Sequence, residues 1–540
     1  MSQTVLTAVV EVQPKSASLL RGIILKLRED QEQTSPEFPK KYDRLKAAMP
    51  ALHFMSMTIF RDAHYDPIFV LEANFDGPPG PFWAQLEAAI GPQLRNMLRC
   101  CERPSGRTGA MFDAITAPGS RQPLAPFLEA QTVRPMIFHQ GNRGLDRERI
   151  LREAALFFAA RDELKKPDPY RHADAVGIHK ALRAAMRPNF RWLDETAPPR
   201  IPGAERAADL LRLAGFAVLV LFCLSIPGLL LALAAPAWVA VLLPLVAAAA
   251  IAARLDGLRD LLRQIRSPTP SGEPAPSLRD RAKPVVGVVL FLALYVAVLS
   301  AIAAALIAPF TPLTFAGAFR AGAAIFALGL ASVPFTALAI LLWLRRLERR
   351  DPSQDEPPLD PEWLREIMQR EDRIVQNHMG SMVLVKPGVL RAVLIRAGLW
   401  GLGLLLRVTA TSGHLGSMRT IHFAHWALVS NGGRLMFFSN FDGSWESYLD
   451  DFIEKAHAGL TLAWGNGVGF PPARFLVLEG ATHGRKFKDW ARHSQTVSLF
   501  WFSAYPDYIV NQIERHARVA DGLRRATLSP QEATAWARDL

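Results

Sequence analysis

The sequence predicts an α+β protein in which two βαββαβ repeats flank a block of four membrane-spanning helices. Three observations predict it. The stretch from Leu213 to Ala253 is strongly apolar and holds no charged side chain. Four short landmarks recur in the same order on either side of the apolar block. The chain has 540 residues, more than one ordinary core accommodates.

The apolar block reads as two pairs of helices, at 213–234 and 237–253 and then at 285–308 and 321–344. Arg200, Arg206 and Arg212 precede the first span. Arg254, Arg259, Arg263 and Arg266 open the loop between the pairs, and Arg345, Arg346, Arg349 and Arg350 follow the last span. The two short loops on the other side carry only Arg320. The positive-inside bias therefore predicts an inner-membrane, multi-pass protein with both termini in the cytoplasm. The spans contain no Asp, Glu, Lys or His. A transporter or pump keeps ionisable groups there, so an anchor or dimerisation element is expected.

The landmarks fix the repeats. An apolar strand runs into Val-x-Pro at Pro14 and at Pro387. A strand opening with His-Phe follows, with His53 in "LHFMSMTIF" and His422 in "IHFAHWALV". The third strand ends in NFDG, at Asn74–Gly77 and Asn440–Gly443. The fourth is an Arg-led apolar strand, "RPMIFHQG" from Arg134 and "RFLVLEG" from Arg474. Helical stretches occupy the same two gaps in each half, which gives the ferredoxin-like order. Residues Cys100–Leu124 read as an inserted loop in the first copy. Two such sheets meeting face to face form an α+β barrel-like unit. The predicted boundaries are a first ferredoxin-like domain at 1–170, a linker at 171–212, transmembrane hairpins at 213–253 and 285–344 around a cytoplasmic loop at 254–284, a linker at 345–372, and a second domain at 373–540.

NFDG sits where a strand gives way to a helix. Asp76, Asp442 or Ser444 in that position caps the helix by accepting its free N–H groups. Alternatively Asp76 or Asp442 points into a pocket as a general base or acid. Asn74, Asn440 and Trp445 border the same turns, and His53 and His422 are either buried polar anchors or pocket residues. His422 and His425 lie on opposite faces of a strand, so they do not share a metal. Asp450 and Glu454 share a helix face and read as solvated acids. "WGNGVGFPP" looks like a pocket rim but lacks the Lys-Ser/Thr of a phosphate loop. "LWGLGLLLR" either lies in the membrane interface or packs between the copies.

The formal charge is +12, yet no compact basic block interleaves with aromatics, so nucleic acid is not an expected partner. A lipid bilayer is, and a homo-oligomer fits the anchor reading. The three cysteines, Cys100, Cys101 and Cys223, form no disulfide framework or zinc spacing. The N-terminus lacks the pattern of a signal peptide. GxSxG, HExxH, paired CxxC and Walker A motifs are absent, which disfavours a hydrolase, zinc enzyme or ATPase.

The duplicated plan, with Asp-Gly closing a strand, resembles the dye-decolourising peroxidase and chlorite dismutase superfamily. That resemblance implies a haem in one barrel half and peroxide cleavage by the Asp of a GxxDG signature with a distal Arg. Here Asp76 with Arg134, or Asp442 with Arg474, takes those places, and Ala73 and Ser439 stand where the signature has its first Gly. The blocks "TIHFAHW", "FFSNFDGSWESYLDDF", "NGVGFP" and "WFSAYP" are similar to an uncharacterised bacterial membrane family. The expected function is a membrane-anchored oxidoreductase of peroxidase-like type. The alternatives are a non-catalytic module that binds a small apolar or lipid-like ligand at the membrane surface, or a scaffold.

Overall fold

The computed structural model describes residues 3–61, 65–266, 278–351, 360–409 and 418–540. Residues 267–277 of the predicted cytoplasmic loop and 352–359 of the second linker lie outside the described residues. The chain forms two compact units. One, α+β, comprises Met1–Ala207, Asp355–Pro471 and Ala481–Leu540; the other, mostly helical, comprises Ala208–Gln354 and Pro472–Gly480.

The first half runs β1 (Gln3–Glu11), α1 (Ala17–Glu32), α2 (Asp43–Ala48), β2 (Leu52–Phe60), β3 (Ile68–Asp76) and α3 (Pro79–Leu98). It continues through α4 (Gly106–Thr116), α5 (Ala125–Ala130), β4 (Ile137–Gln140), α6 (Arg147–Glu163) and α7 (Ala175–Met186). Helix α1 buries Ala17, Leu20, Ile24 and Leu27, the 3-4-3 spacing of a single stripe. The predicted inserted loop contains helix α4, and α5 follows directly after it. Phe112 with Ile115, and Phe127 with Leu128, are apolar anchors that enter the main core.

The helical unit contains α8 (Gly203–Ala234) from Ala208 onward, then α9 (Ala237–Arg254), α10 (Leu258–Arg266), α11 (Leu278–Ile307), α12 (Phe315–Gly329) and α13 (Val333–Glu348). The predicted fourth span is interrupted by a 3-10 turn at Leu330–Ser332, just before Pro334, whose missing N–H cannot serve a continuous α-helix. A Cβ on Gly228 would lie 2.5 Å from the Gly329 carbonyl oxygen, so glycine permits this close crossing. Gly228 N–H donates to Ser332 Oγ at 2.9 Å there, and the Ser225 and Tyr295 hydroxyls pair at 2.9 Å.

The second half contains α14 (Pro361–Met368), β5 (Gln376–Leu384), α15 (Val389–Thr409), β6 (Ile421–Val429), β7 (Arg434–Asp442) and α16 (Trp445–Trp464). Then come β8 (Ala473–Arg474), β9 (Leu478–Glu479), α17 (Gly484–Ser494), β10 (Gln495–Thr496), β11 (Ser498–Ser503), α18 (Val510–Arg524) and α19 (Pro530–Ala537). Among the described residues, five helical segments are long and apolar enough to cross a membrane: Gly203–Ala234, Ala237–Arg254, Val286–Phe310, Phe315–Glu348 and Val389–Thr409. The fifth, α15, rests Gly403 against the Met136 carbonyl, where a Cβ would come within 2.6 Å.

The α+β unit holds two antiparallel sheets, ordered β1-β3-β2-β11 and β10-β5-β7-β6-β4. The fourth strands are exchanged. Strand β4 of the first half pairs with β6, and β11 of the second half pairs with β2. The exchange is symmetric to the residue: Gly141 N–H donates to the His422 carbonyl and Ala504 N–H to the His53 carbonyl, both at 2.8 Å. Phe60, Ile68 and Val70 of one sheet pack with Ala427, Val429, Met436 and Phe438 of the other, so the sheets face each other. Helices cover the outer faces.

The "RFLVLEG" segment corrects one expectation: it is no fourth strand. It forms the β8–β9 hairpin, which belongs to the helical unit. Its tip residues Phe475 and Leu476 take left-handed φ values of 56° and 57°. That conformation is costly for apolar side chains and is held by context. The Glu348 carboxylate accepts both tip N–H groups, at 3.0 and 3.1 Å. Phe475 is buried among Leu255, Leu261 and neighbouring leucines. Strand β11, inside "TVSLFWFSAYP", lies beside β2 as β4 lies beside β6.

Candidate functional site

Each NFDG turn ends its strand on a glycine with positive φ, 89° at Gly77 and 81° at Gly443. The following helix is not capped by the Asp. Ser444 caps α16, and α3 begins behind Pro78 with no side-chain cap. The Asp carboxylates reach another helix instead. Asp76 Oδ2 accepts the Arg147 N–H that opens α6, and Asp442 Oδ2 accepts the Val510 N–H that opens α18, both at 2.8 Å. A carboxylate at a helix N-terminus satisfies an orphan donor and meets the positive end of the dipole.

A histidine completes each arrangement. Pairing of β2 with β3 slips between Leu52 and Phe54, and pairing of β6 with β7 slips between Ile421 and Phe423. The extra residue is His53 in one sheet and His422 in the other, and such a bulge re-aims its side chain. His53 Nε2 lies 3.0 Å from Asp76 Oδ2, and its Nδ1 pairs with the Tyr505 hydroxyl at 2.8 Å. His422 Nε2 lies 2.7 Å from Asp442 Oδ1. Opposite the two Asp residues stand Gln3 and Gln376 in the same register. Gln376 donates to the Tyr505 and Tyr508 carbonyls and accepts from Ser503 Oγ.

The other predicted site residues scatter. Asn74 donates to Glu72, and Asn440 accepts from Trp501 Nε1 at 2.9 Å. Trp445 is buried beneath the Arg492 guanidinium, 3.5 Å from its ring centre. Arg134 is exposed, and Arg474 belongs to the helical unit, where it binds Asp260 and Glu479. Asp76 is not paired with Arg134. Both ring nitrogens of His53 face Tyr505 or Asp76, and His422 Nε2 faces Asp442.

A cavity of about 350 Å³ opens in the α+β unit. Five cations line it: Arg28, Lys41, Lys46, Arg370 and Arg373. Two carboxylates share the lining, Glu32 and Glu371, and two more flank it: Glu366 pairs with Arg370 at 3.1 Å and Asp43 lies 4.0 Å from Lys46. Glu32 is shared by Arg28 and Lys41, and Glu371 is taken by Arg492. Arg370 is pushed below the ordinary arginine range by burial and then by Arg28 and Arg21. Lys46 is pushed down by burial as well.

Deeper in the lining stand Gln376, His378, Ser498, Trp501 and Ser503. His378 Nδ1 pairs with Ser498 Oγ at 2.6 Å, and its Nε2 lies 3.7 Å from Glu72 Oε2. Glu72 is fully buried, which alone would raise its pKa. His378, His425 and the Asn74 amide outweigh that and hold it below the ordinary range. Sequence inspection passed over Glu72, His378 and Ser498. Their signal was a lone carboxylate in the apolar "PIFVLEANF" and a lone histidine in "QNHMGSMVL".

Burial lowers His139 and His425 to about 4. The unfolded chain binds these protons near pH 6.5, so acid favours unfolding. Stability is therefore expected to fall as pH drops from about 6.5 to 4, by about 3 kcal/mol per histidine. Melting of the detergent-purified chain across that range checks this, and His425→Gln should flatten the fall. A midpoint constant over the range would contradict it. Compared with protein-family models, curated proteins and solved structures, the chain matches none.

Proposed function

We propose that this is an integral membrane protein whose α+β unit is a duplicated ferredoxin-like barrel that binds a small anionic molecule without transforming it. The observation that carries the binding role is the cavity: five cations and two carboxylates line it together with hydrogen-bonding side chains, and among the described residues Arg373 has no carboxylate partner. A carboxylate or phosphate at Arg373 adds negative charge where Arg28 and Arg370 stand close together and Glu366 offsets only part of their repulsion. The charge at the mouth turns the ligand class from apolar to anionic.

Duplication is supported by features that recur at matching positions. Both sheets follow the order first-third-second strand, each with an exchanged fourth. Both His bulges fall one residue into the second strand. Helices α3 and α16 each have 20 residues, and both kink at φ −140° and ψ 20°, at Ile90 and Ala456. Counted from Asp76 and Asp442, those kinks are at the same offset. Pro92 accounts for the first; Ala456 has no nearby proline. The apolar helices support a bilayer environment, with four spans in the helical unit, and the arginine-rich ends support cytoplasmic termini. Helix α15 has a packing partner in β4, which favours its staying with the sheet.

A peroxidase-like oxidoreductase draws no comparable support, because both Asp carboxylates are committed to helix N-termini. The test is mass spectrometry of small molecules released from the purified full chain. An acidic compound retained by the wild type and lost about tenfold or more in Arg370→Glu or Arg373→Glu is expected, since each variant turns a charge-assisted contact into a like-charge repulsion. Equal retention by wild type and variants would remove the reading.

A further inference from the structure

We propose that a second cavity, formed where α9 and α13 end, binds the phosphate of an anionic phospholipid. The site is separate from the cavity of the α+β unit and rests on the helical unit alone. Helices α9 and α13 pack along each other. Beside their C-termini lies a cavity of about 290 Å³ that Arg254, Arg345, Arg346, Arg349 and Asp256 line.

The local carboxylates are already occupied. Asp256 pairs with Arg349. Glu348, next to the cavity, meets Arg345 at 3.3 Å and spends both oxygens on the Phe475 and Leu476 N–H groups. Among the described residues, Arg254 and Arg346 have no carboxylate partner, and both are exposed. Two guanidiniums therefore stand over a concave site with net positive charge. The carbonyl ends of the helices favour cations but supply no anion that would pair with them.

The rest of the lining is apolar, with Ile251, Leu255 and Leu342. Free phosphate has no use for such a surface. A phospholipid does, because its acyl chains lie beside the apolar spans while its phosphate meets the arginines at the span ends. Basic pockets between spanning helices on the positive side recognise anionic headgroups in this way. A simple positive-inside excess would scatter arginines along the loops. It would not build a concavity with an apolar floor.

The full chain, reconstituted in phosphatidylcholine nanodiscs with and without phosphatidylglycerol, provides the test, with retained lipid read by native mass spectrometry. Phosphatidylglycerol should be retained over phosphatidylcholine. Arg254→Gln with Arg346→Gln should cut that retention by about fivefold per arginine, roughly 25-fold together. The charge-preserving Arg254→Lys with Arg346→Lys should keep most of it, and Arg350→Gln, outside the lining, should leave it unchanged. Excess inorganic phosphate should not displace the lipid. Equal retention by the glutamine pair overturns the site, and displacement by inorganic phosphate overturns its assignment to lipid.

Discussion

Asp442→Ala is expected to destabilise the α+β unit by about 3–5 kcal/mol, with a matching loss from Asp76→Ala. Each carboxylate accepts a buried backbone N–H and faces a buried histidine. Bonds to a charged acceptor contribute about 1.5–3 kcal/mol each, and removing the acceptor strands both donors. The loss should be local as well as global. Amide hydrogen exchange should accelerate first at Val510 in Asp442→Ala and at Arg147 in Asp76→Ala. Asp442→Asn keeps one acceptor oxygen and should lose about half as much. A catalytic Asp would behave differently, losing activity while its melting midpoint held. An unchanged midpoint in Asp442→Ala would therefore refute the role of the NFDG turns as clasps on α6 and α18.

The clasp also marks what was legible in the sequence. The repeated NFDG and His-Phe strands are local signals, and they located both turns and the strands that carry His53 and His422. The apolar spans were legible for the same reason: a bilayer demands a long uncharged run, and Leu213–Ala253 is one. The destination of Asp76 and Asp442 was not legible. A carboxylate beside a helix start suggests the nearest helix, and Ser444 had already filled that place in one copy. The helix it serves begins 71 residues later for Asp76 and 68 for Asp442. "RFLVLEG" misled because a short apolar run describes a hairpin tip buried among leucines as well as a core strand. The cavity could not be read at all. Arg28, Lys46, Arg370 and Ser498 converge only after the chain has returned from the helical block.

Exchange of the fourth strands carries the other large expectation. A chain ending at Ser494 should lose the first sheet, although every residue of the first half is present. Strand β2 is buried along all nine residues, and β11 covers its edge. Phe500 and Phe502 of β11 are fully buried in the core built by β1, β2, β3, α1 and α3. Removing a buried Phe side chain costs about 3–5 kcal/mol, so two together approach the whole stability of a typical domain. The same cut also removes α18, which packs against α6. Hydrogen exchange on the detergent-purified chain separates the outcomes. In the truncated protein, Leu52–Phe60 should exchange as an open edge. Phe502→Ala in the full chain should lower protection of that strand by about 3–5 kcal/mol and leave Gln376–Leu384 closer to its native protection. The two halves would then be one folding unit, since each sheet closes only on a strand from the other. Full protection of Leu52–Phe60 after the cut would mean that the first half closes its own sheet.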